Sequence, residues 1–137
     1  MTFAKDGQVF GETFLARVMM FDLRATKTPD EFVAMVKSDA ESGTDPVRFE
    51  MRERTVVYTD ERGYPCVRFH SLALDKKPAV VEGPLLTERE ALYCRHPVHQ
   101  NAGFAASYTH RGQTQYANLH REAEVFIQGV QVPTKLE

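Results

Sequence analysis

The sequence has little of what marks the specialised classes of protein. Its 137 residues include only two cysteines, eight glycines and seven prolines, so disulfide-knot, collagen-like and disordered classes are excluded. Charge of one sign is not in excess either. Seventeen basic and 19 acidic side chains give a net charge of -2, whereas a phosphate-backbone binder needs clustered Lys and Arg. No apolar run approaches the ~18 residues of a membrane-spanning helix. We therefore predict neither nucleic-acid binding nor a membrane-spanning segment.

Short motifs that carry known chemistry are missing as well. The chain has no G-x-G-x-x-G, no P-loop, no H-E-x-x-H and no G-x-S-x-G. Acidic pairs do occur at Asp60-Glu61 and at Glu122 and Glu124, but their positions in a turn and on a helix face are typical of solvated charges. The sequence therefore predicts a protein without cofactor and without enzymatic activity.

The composition that remains is that of an ordinary globular domain. Hydrophobic residues make up 42% and charged residues 26% of the chain, and its length suffices for one core. We predict one domain over 1–137, with a core over about 14–132. Hydrophobic periodicity predicts the order β-α-β-β-β-β-α-β. The predicted elements are a strand at 14–23 buried on much of both faces, a helix from 28 to Gly43, a strand from 47, a hairpin loop at 59–63, a strand at 64–74, a surface loop at 75–84, strands at 86–96 and 104–110, a helix at 115–128, and a short strand or extended tail at 130–133.

The first helix has the clearest start signal. In Thr28-Pro29-Asp30-Glu31 the threonine can accept a hydrogen bond from the amide three residues on, Pro fits the first turn, and Glu can reach back to the cap. An apolar stripe follows at helical spacing. Its members are Phe32, Met35, Val36 and Ala40. The prediction is an α+β fold in which one antiparallel sheet is covered by two amphipathic helices.

The chain ends suggest processing. Met1–Gly11 lacks a charged segment followed by an apolar one, so it is not a secretory signal. Leu136-Glu137 resembles the pair left where a cloning site joins a C-terminal tag, and residues 134–137 would then be an added tail. That reading leaves room for a targeting segment removed upstream. The alternative is a natural end in Leu-Glu.

The two cysteines lie on predicted neighbouring strands. Cys66 and Cys94 are symmetric about residue 80, the middle of the loop that joins those strands, so antiparallel pairing places them opposite one another. A cross-strand disulfide would place the protein in an oxidising compartment. The alternative is a pair of buried thiols in a reduced cytosolic domain.

Three soft or borderline donors occur within six residues, at Cys94, His96 and His99. Zinc accepts such ligands, and a cysteine beside a histidine is also the basis of thiol catalysis. On a strand, Cys94 and His96 share a face, but Pro97 turns the chain before His99. We therefore predict no metal site, and keep a small thiol- or metal-dependent enzyme at these residues as the alternative function.

Aromatic and basic side chains alternate along the central strands. Such a surface binds proteins readily, although arginines on a half-exposed sheet often only maintain solubility. The predicted binding residues are Arg68, Tyr93, Arg95 and Tyr108.

Three segments carry a family resemblance. The helix start at 28–32, the hairpin Tyr-Thr-Asp-Glu-Arg-Gly at 58–63 and the closing helix at 122–130 resemble small bacterial lipoproteins and exported proteins of the Mog1/PsbP-like fold, over about Phe14 to Val132. The resemblance implies an α/β/α sandwich and a binding or accessory role, without transferable site residues. Our leading hypothesis is a non-enzymatic domain of the bacterial envelope, periplasmic or lipid-anchored to the outer membrane, that binds a protein partner, such as a secretion-system accessory or immunity protein. A cytoplasmic protein is the alternative.

Overall fold

The computed structural model describes residues 2–3, 12–41, 45–76 and 85–135. Over these residues the chain forms one antiparallel sheet and two helices, which confirms the predicted α+β class. In chain order the elements are β1 (Thr2–Phe3), β2 (Thr13–Asp22), α1 (Pro29–Glu41), β3 (Phe49–Thr59), β4 (Cys66–Asp75), β5 (Leu85–Arg95), β6 (Ala102–Gly112) and α2 (Leu119–Gly129).

The sheet order is β1-β2-β6-β5-β4-β3. Strands β3 to β6 follow one another as a meander, and β2 pairs antiparallel with β6 over Thr13–Asp22. On its other side β2 pairs only with the two residues of β1, opposite Phe14 and Leu15. Strand β3 forms the opposite border of the sheet.

Helix α1 begins as the sequence predicts. The backbone N–H of Glu31 donates to Thr28 Oγ1 at 3.1 Å, and the Glu31 carboxylate accepts from the N–H of Lys27 at 2.6 Å. The reciprocal bond therefore reaches one residue further back than a capping box requires. The predicted stop at Gly43 lies outside the described residues, as do residues 77–84 of the predicted surface loop and Leu136-Glu137.

The side chains of β3 alternate regularly between the two faces only as far as Met51. A bulge shifts the register between Met51 and Glu53, so Val56 and Tyr58 take the face that Phe49 and Met51 occupy before it. Beyond the strand, the hairpin turns through Gly63, whose φ of 90° is accessible to glycine without strain.

Two hydrophobic clusters lie on opposite faces of the sheet. Alternate residues of a strand point to opposite faces, and on β4 the odd positions 67 and 69 belong to one cluster while Cys66 belongs to the other. Helix α1 contributes Phe32, Met35 and Val36 to the first cluster. Helix α2 contributes Ala123 and Ile127 to the second.

The C-terminal segment at 130–133 is an extended tail and not a strand. Val130 and Val132 pack against the cluster that contains α2. Hydrophobic contact with the core therefore explains the apolar alternation that suggested a strand.

The prediction that strand 14–23 is buried on both faces is wrong. Leu15 and the four residues Arg17 to Met20 are exposed, although Phe14 is buried. The apolar run is typical of a central strand, but here it lies beside the two-residue β1 at the border of the sheet. Three of the exposed side chains are large and apolar and neighbour one another: Val18, Met19 and Met20.

Candidate functional site

The predicted disulfide between Cys66 and Cys94 is confirmed. The two residues are direct partners in the β4–β5 register, and the Arg95 N–H donates to the Pro65 carbonyl just beyond the pair, at 3.0 Å. Cys66 and Cys94 form a non-hydrogen-bonded pair, the kind in which opposite Cα atoms of antiparallel strands lie closest. Their Cα atoms are 4.0 Å apart. Both side chains are buried beneath α2.

The disulfide removes Cys94 as a free thiolate, so it supplies neither a zinc ligand nor a nucleophile in this state. His96 is buried, and its Nδ1 accepts the backbone N–H groups of Val98 at 3.1 Å and His99 at 3.0 Å. The ring of His99 is exposed and lies 5.0 Å from that of His96, centroid to centroid. The structure thus uses His96 to hold the turn after β5.

The four predicted binding residues are divided between the two faces of the sheet. Arg68 and Tyr108 lie on the face of α2, and Tyr93 and Arg95 lie on the face of α1. Tyr93 is buried with its ring against Phe69, and the Arg95 guanidinium donates to backbone carbonyls at the end of β2 and in the β5–β6 turn. These four residues therefore do not form one surface. The symmetry of β4 and β5 about residue 80 already implied that Arg68 and Tyr93 lie on opposite faces. It pairs even-numbered residues only with even-numbered ones, and odd only with odd.

A charged cluster lies between α2 and the sheet, in a cavity of about 440 Å³. Glu90 is buried and accepts hydrogen bonds from Arg68 at 3.0 Å and from His120 Nδ1 at 2.9 Å. Arg68 also forms an ion pair with Glu124 on α2. Sequence reasoning assigned Glu124 to a solvated helix face, because periodicity does not show which strands lie beneath α2. The cluster instead ties the helix to β4 and β5.

The donor set of this cluster could hold a metal ion. Ligand atoms of Glu90, His120 and Glu124 lie within 4.8 Å of one another, and nitrogen and oxygen ligands suit zinc. The Arg68 guanidinium, however, already binds both carboxylates. A cation would have to displace it, so the arrangement favours an internal ion network.

A second polar cluster joins β6 to the first turn of α2. The hydroxyl of Tyr108 donates to Glu122 Oε1 at 2.7 Å, and that of Tyr116 donates to Oε2. Burial, and then the bond to Glu122, raises the pKa of Tyr108 to about 12. The bond to Glu122 raises the pKa of Tyr116, and the bond from Tyr116 contributes most to lowering the pKa of Glu122.

These pKa shifts predict a loss of stability at both extremes of pH. Unfolding lets Tyr108 ionise near its ordinary value of 10.0, so the free energy of unfolding should fall as pH rises from 10.0 towards 12. Unfolding also returns the lowered pKa of Glu122 to its ordinary 4.5, so stability should fall as pH drops below that value. Urea unfolding across pH measures both limbs. Glu122→Gln should remove the low-pH limb and reduce the high-pH limb, whose larger cause, the burial of Tyr108, remains. The exposed Glu53→Gln should change neither limb, and equal profiles for the two variants would contradict the assignment.

A group of neighbouring exposed apolar side chains lies on β2. Val18 and Met20 are 51% and 57% exposed on the face of α2, and Met19 is 38% exposed on the face of α1. Beside Met19 a groove of about 400 Å³ runs between β2 and α1. Five apolar residues, two acidic residues and one arginine line it: Met19, Phe21, Val36, Ala40, Tyr93, Asp22, Asp39 and Arg89.

The backbone of β2 presents hydrogen-bonding groups along this surface. The backbone N–H of Leu23 donates to the Asn101 carbonyl, on the β6 side, at 2.8 Å. Along an antiparallel strand, the N–H and C=O groups of successive residues point alternately to the two sides of the strand. The N–H and C=O groups of Val18, Met20 and Asp22 therefore point away from β6. No described strand pairs with Arg17–Asp22 on that outer side. We call these residues, with the groove, the β2 surface.

Comparison with profiles of known protein families, with curated proteins and with solved structures finds no match to this chain. No described helix is long and apolar enough to cross a membrane.

Proposed function

We propose that this chain is a non-enzymatic domain of the bacterial envelope that binds a protein partner through its β2 surface. A periplasmic or lipid-anchored protein of a secretion system, or an immunity protein, has this character. The observation that carries the proposal is the row of exposed apolar side chains on a strand that has no outer strand partner from Arg17 to Asp22 among the described residues.

Such a strand edge is a template for protein association. Unpaired N–H and C=O groups accept another strand, and soluble proteins protect their edges with charges, bulges or covering elements. At Val18, Met19 and Met20 the side chains are apolar on both faces. Peptides that add a strand gain affinity from the main chain and specificity from pockets for alternate side chains. The groove beside Met19 offers one such pocket.

The polar clusters support binding over catalysis. Glu90 and Glu124 are engaged by Arg68, and Glu122 is engaged by two tyrosines. Side chains that neutralise one another in this way hold α2 on the sheet. They have the character of structural networks, in which the charged groups are already compensated.

The envelope location is supported by the buried disulfide, because disulfides persist mainly in oxidising compartments. The Mog1/PsbP-like architecture, with helices covering both faces of the sheet, and the lipid anchor remain parts of this proposal. Packing of α1 and α2 residues into clusters on opposite faces of the sheet is consistent with the first of them.

Site-specific photo-crosslinking in the producing cells tests the proposal. Val18 and Val57 are both 51% exposed and lie in one cross-strand row, on the same face at opposite borders of the sheet. A photoreactive residue at position 18 should give a defined protein adduct, identified by mass spectrometry, and one at position 57 should give little. Equal yields at the two positions, or none at 18, would refute binding at the β2 surface.

A further inference from the structure

We propose that a cavity on the face of α1 binds a small monocarboxylate with an apolar body, of the size of an aromatic acid. The cavity has a volume of about 240 Å³ and lies beside the C-terminal end of α1. It is a different cavity from the groove beside Met19, although Arg89 and Ala40 line both. The inference therefore goes beyond the proposed function. Its support is the shape of the cavity, the charge of Arg89 and a buried hydroxyl of Thr87.

Short side chains on the sheet leave room for the cavity. The odd-numbered residues of β4 and β5 lie on the face of α1, and three of those that line the cavity are small: Ser71, Ala73 and Thr87. Apolar side chains form much of the remaining wall, namely Ala40, Phe49, Met51 and Phe69. A cavity of roughly 150 Å³ already holds benzene. The larger volume here accommodates an aromatic ring together with a short polar group.

Arg89 supplies the positive charge of this cavity. Its guanidinium lies over the Phe69 ring, 5.0 Å from the centroid, and donates to the Ala40 carbonyl at 3.4 Å. No carboxylate of the described residues forms an ion pair with it. Glu41 also lines the cavity, but it forms its ion pair with Arg54. A guanidinium binds a carboxylate through two parallel hydrogen bonds, so a ligand carboxylate can neutralise Arg89.

Hydroxyl groups surround Arg89 on the same face. Thr87 lies two positions before it on β5, and its cross-strand partners are Ser71 and Thr109. All three line the cavity. The Oγ1 of Thr87 is buried and has no hydrogen-bond partner among the described residues. Because buried polar groups are nearly always hydrogen-bonded, this hydroxyl favours a ligand with an acceptor. A carboxylate has oxygens for both the hydroxyl and the guanidinium.

Titration of the isotope-labelled protein with phenylacetate, followed by NMR, tests the inference. The amide signals of Ser71, Thr87 and Arg89 should shift with saturation, with a dissociation constant of roughly a millimolar or below. The neutral analogue phenylacetamide should bind at least about tenfold more weakly, because it forms no ion pair with Arg89. Absence of saturation, shifts confined to other parts of the chain, or equal affinity for the two compounds would overturn the inference.

Variants test the site itself. Arg89→Gln should raise the phenylacetate dissociation constant by about tenfold or more. Arg121→Gln, the matched change at an exposed position of α2, should leave it unaltered. Ala73→Leu should abolish binding because it fills the cavity, and it leaves the contacts of Arg89 in place. Circular dichroism verifies that each variant is folded. Equal affinities for the two arginine variants, or binding that survives Ala73→Leu, would overturn the inference.

A change at Thr87 separates the ligand contact from a structural role. Thr87→Val removes the buried hydroxyl and keeps the shape of the side chain. Urea unfolding should show no loss of stability without ligand, since that hydroxyl has no hydrogen-bond partner among the described residues. The affinity for phenylacetate should nevertheless fall by several-fold. Unchanged affinity in this variant would show that the ligand does not reach the hydroxyl and would overturn the site as described.

Discussion

Replacing Asp75 by alanine should lower the free energy of unfolding by about 3 to 5 kcal/mol, the range for breaking a buried ion pair from one side. The Asp75 side chain is fully buried at the end of β4. Arg48 donates to it from Nε at 2.9 Å and Nη2 at 2.8 Å, and Arg111 donates at 2.5 Å. The carboxylate thus joins the turn before β3 to the end of β6. Its hydrogen bond is also the main cause that raises the pKa of Arg48.

Urea unfolding of matched variants measures this effect. Asp75→Asn keeps the shape and one acceptor oxygen, so it should cost less than Asp75→Ala. Glu53→Ala removes an exposed acid from the neighbouring strand and should change stability by no more than about 0.5 kcal/mol. Similar losses for Asp75→Ala and Glu53→Ala would show that the two arginines do not depend on the buried carboxylate.

Reduction of the disulfide should cost about 3 to 4 kcal/mol of stability. In the loop-entropy model, opening a crosslink across 28 residues returns that much conformational freedom to the unfolded chain. The folded state should change little, because the thiols would remain buried in the same cluster beneath α2. Urea unfolding with and without reductant gives the difference directly.

A double variant, Cys66→Ala with Cys94→Ala, provides the control for this measurement. It should be less stable than the oxidised protein, and reductant should not alter it further. An unchanged urea midpoint for the oxidised protein after complete reduction, verified by alkylation of both thiols, would contradict the expected contribution of the crosslink.

Local signals in the sequence predicted much of the fold. The cap at Thr28 fixed the start of α1, and the symmetry of Cys66 and Cys94 about residue 80 gave the register of β4 and β5. The bulge after Met51 was not predictable from the alternation of polar and apolar residues along β3, because one inserted residue leaves a similar mixture of side chains on both faces of the strand. The apolar alternation at 130–133 left a short strand and an extended tail open, and the structure shows the tail, which packs on the core without joining the sheet.

The candidate site was harder to predict, because it depends on strand order. An apolar run such as Phe14 to Leu23 favours a central strand, and only the pairing of β2 with β6 and the shortness of β1 place it at the border. The Glu90–Arg68–Glu124 network likewise requires α2 to dock on β4 and β5. Both features arise from contacts between distant segments, which periodicity does not report.

The bond between Cys66 and Cys94 also determines how the domain would respond to mechanical tension. Tension applied to the two chain ends passes through the sulfur atoms. The disulfide joins residues 28 positions apart, so this tension bypasses the β4–β5 hairpin between them. That stretch cannot be drawn out until the bond is reduced. A domain tethered at one end and held by a partner at the other would therefore extend less than its contour length suggests, and a thiol reductant would release the hidden length.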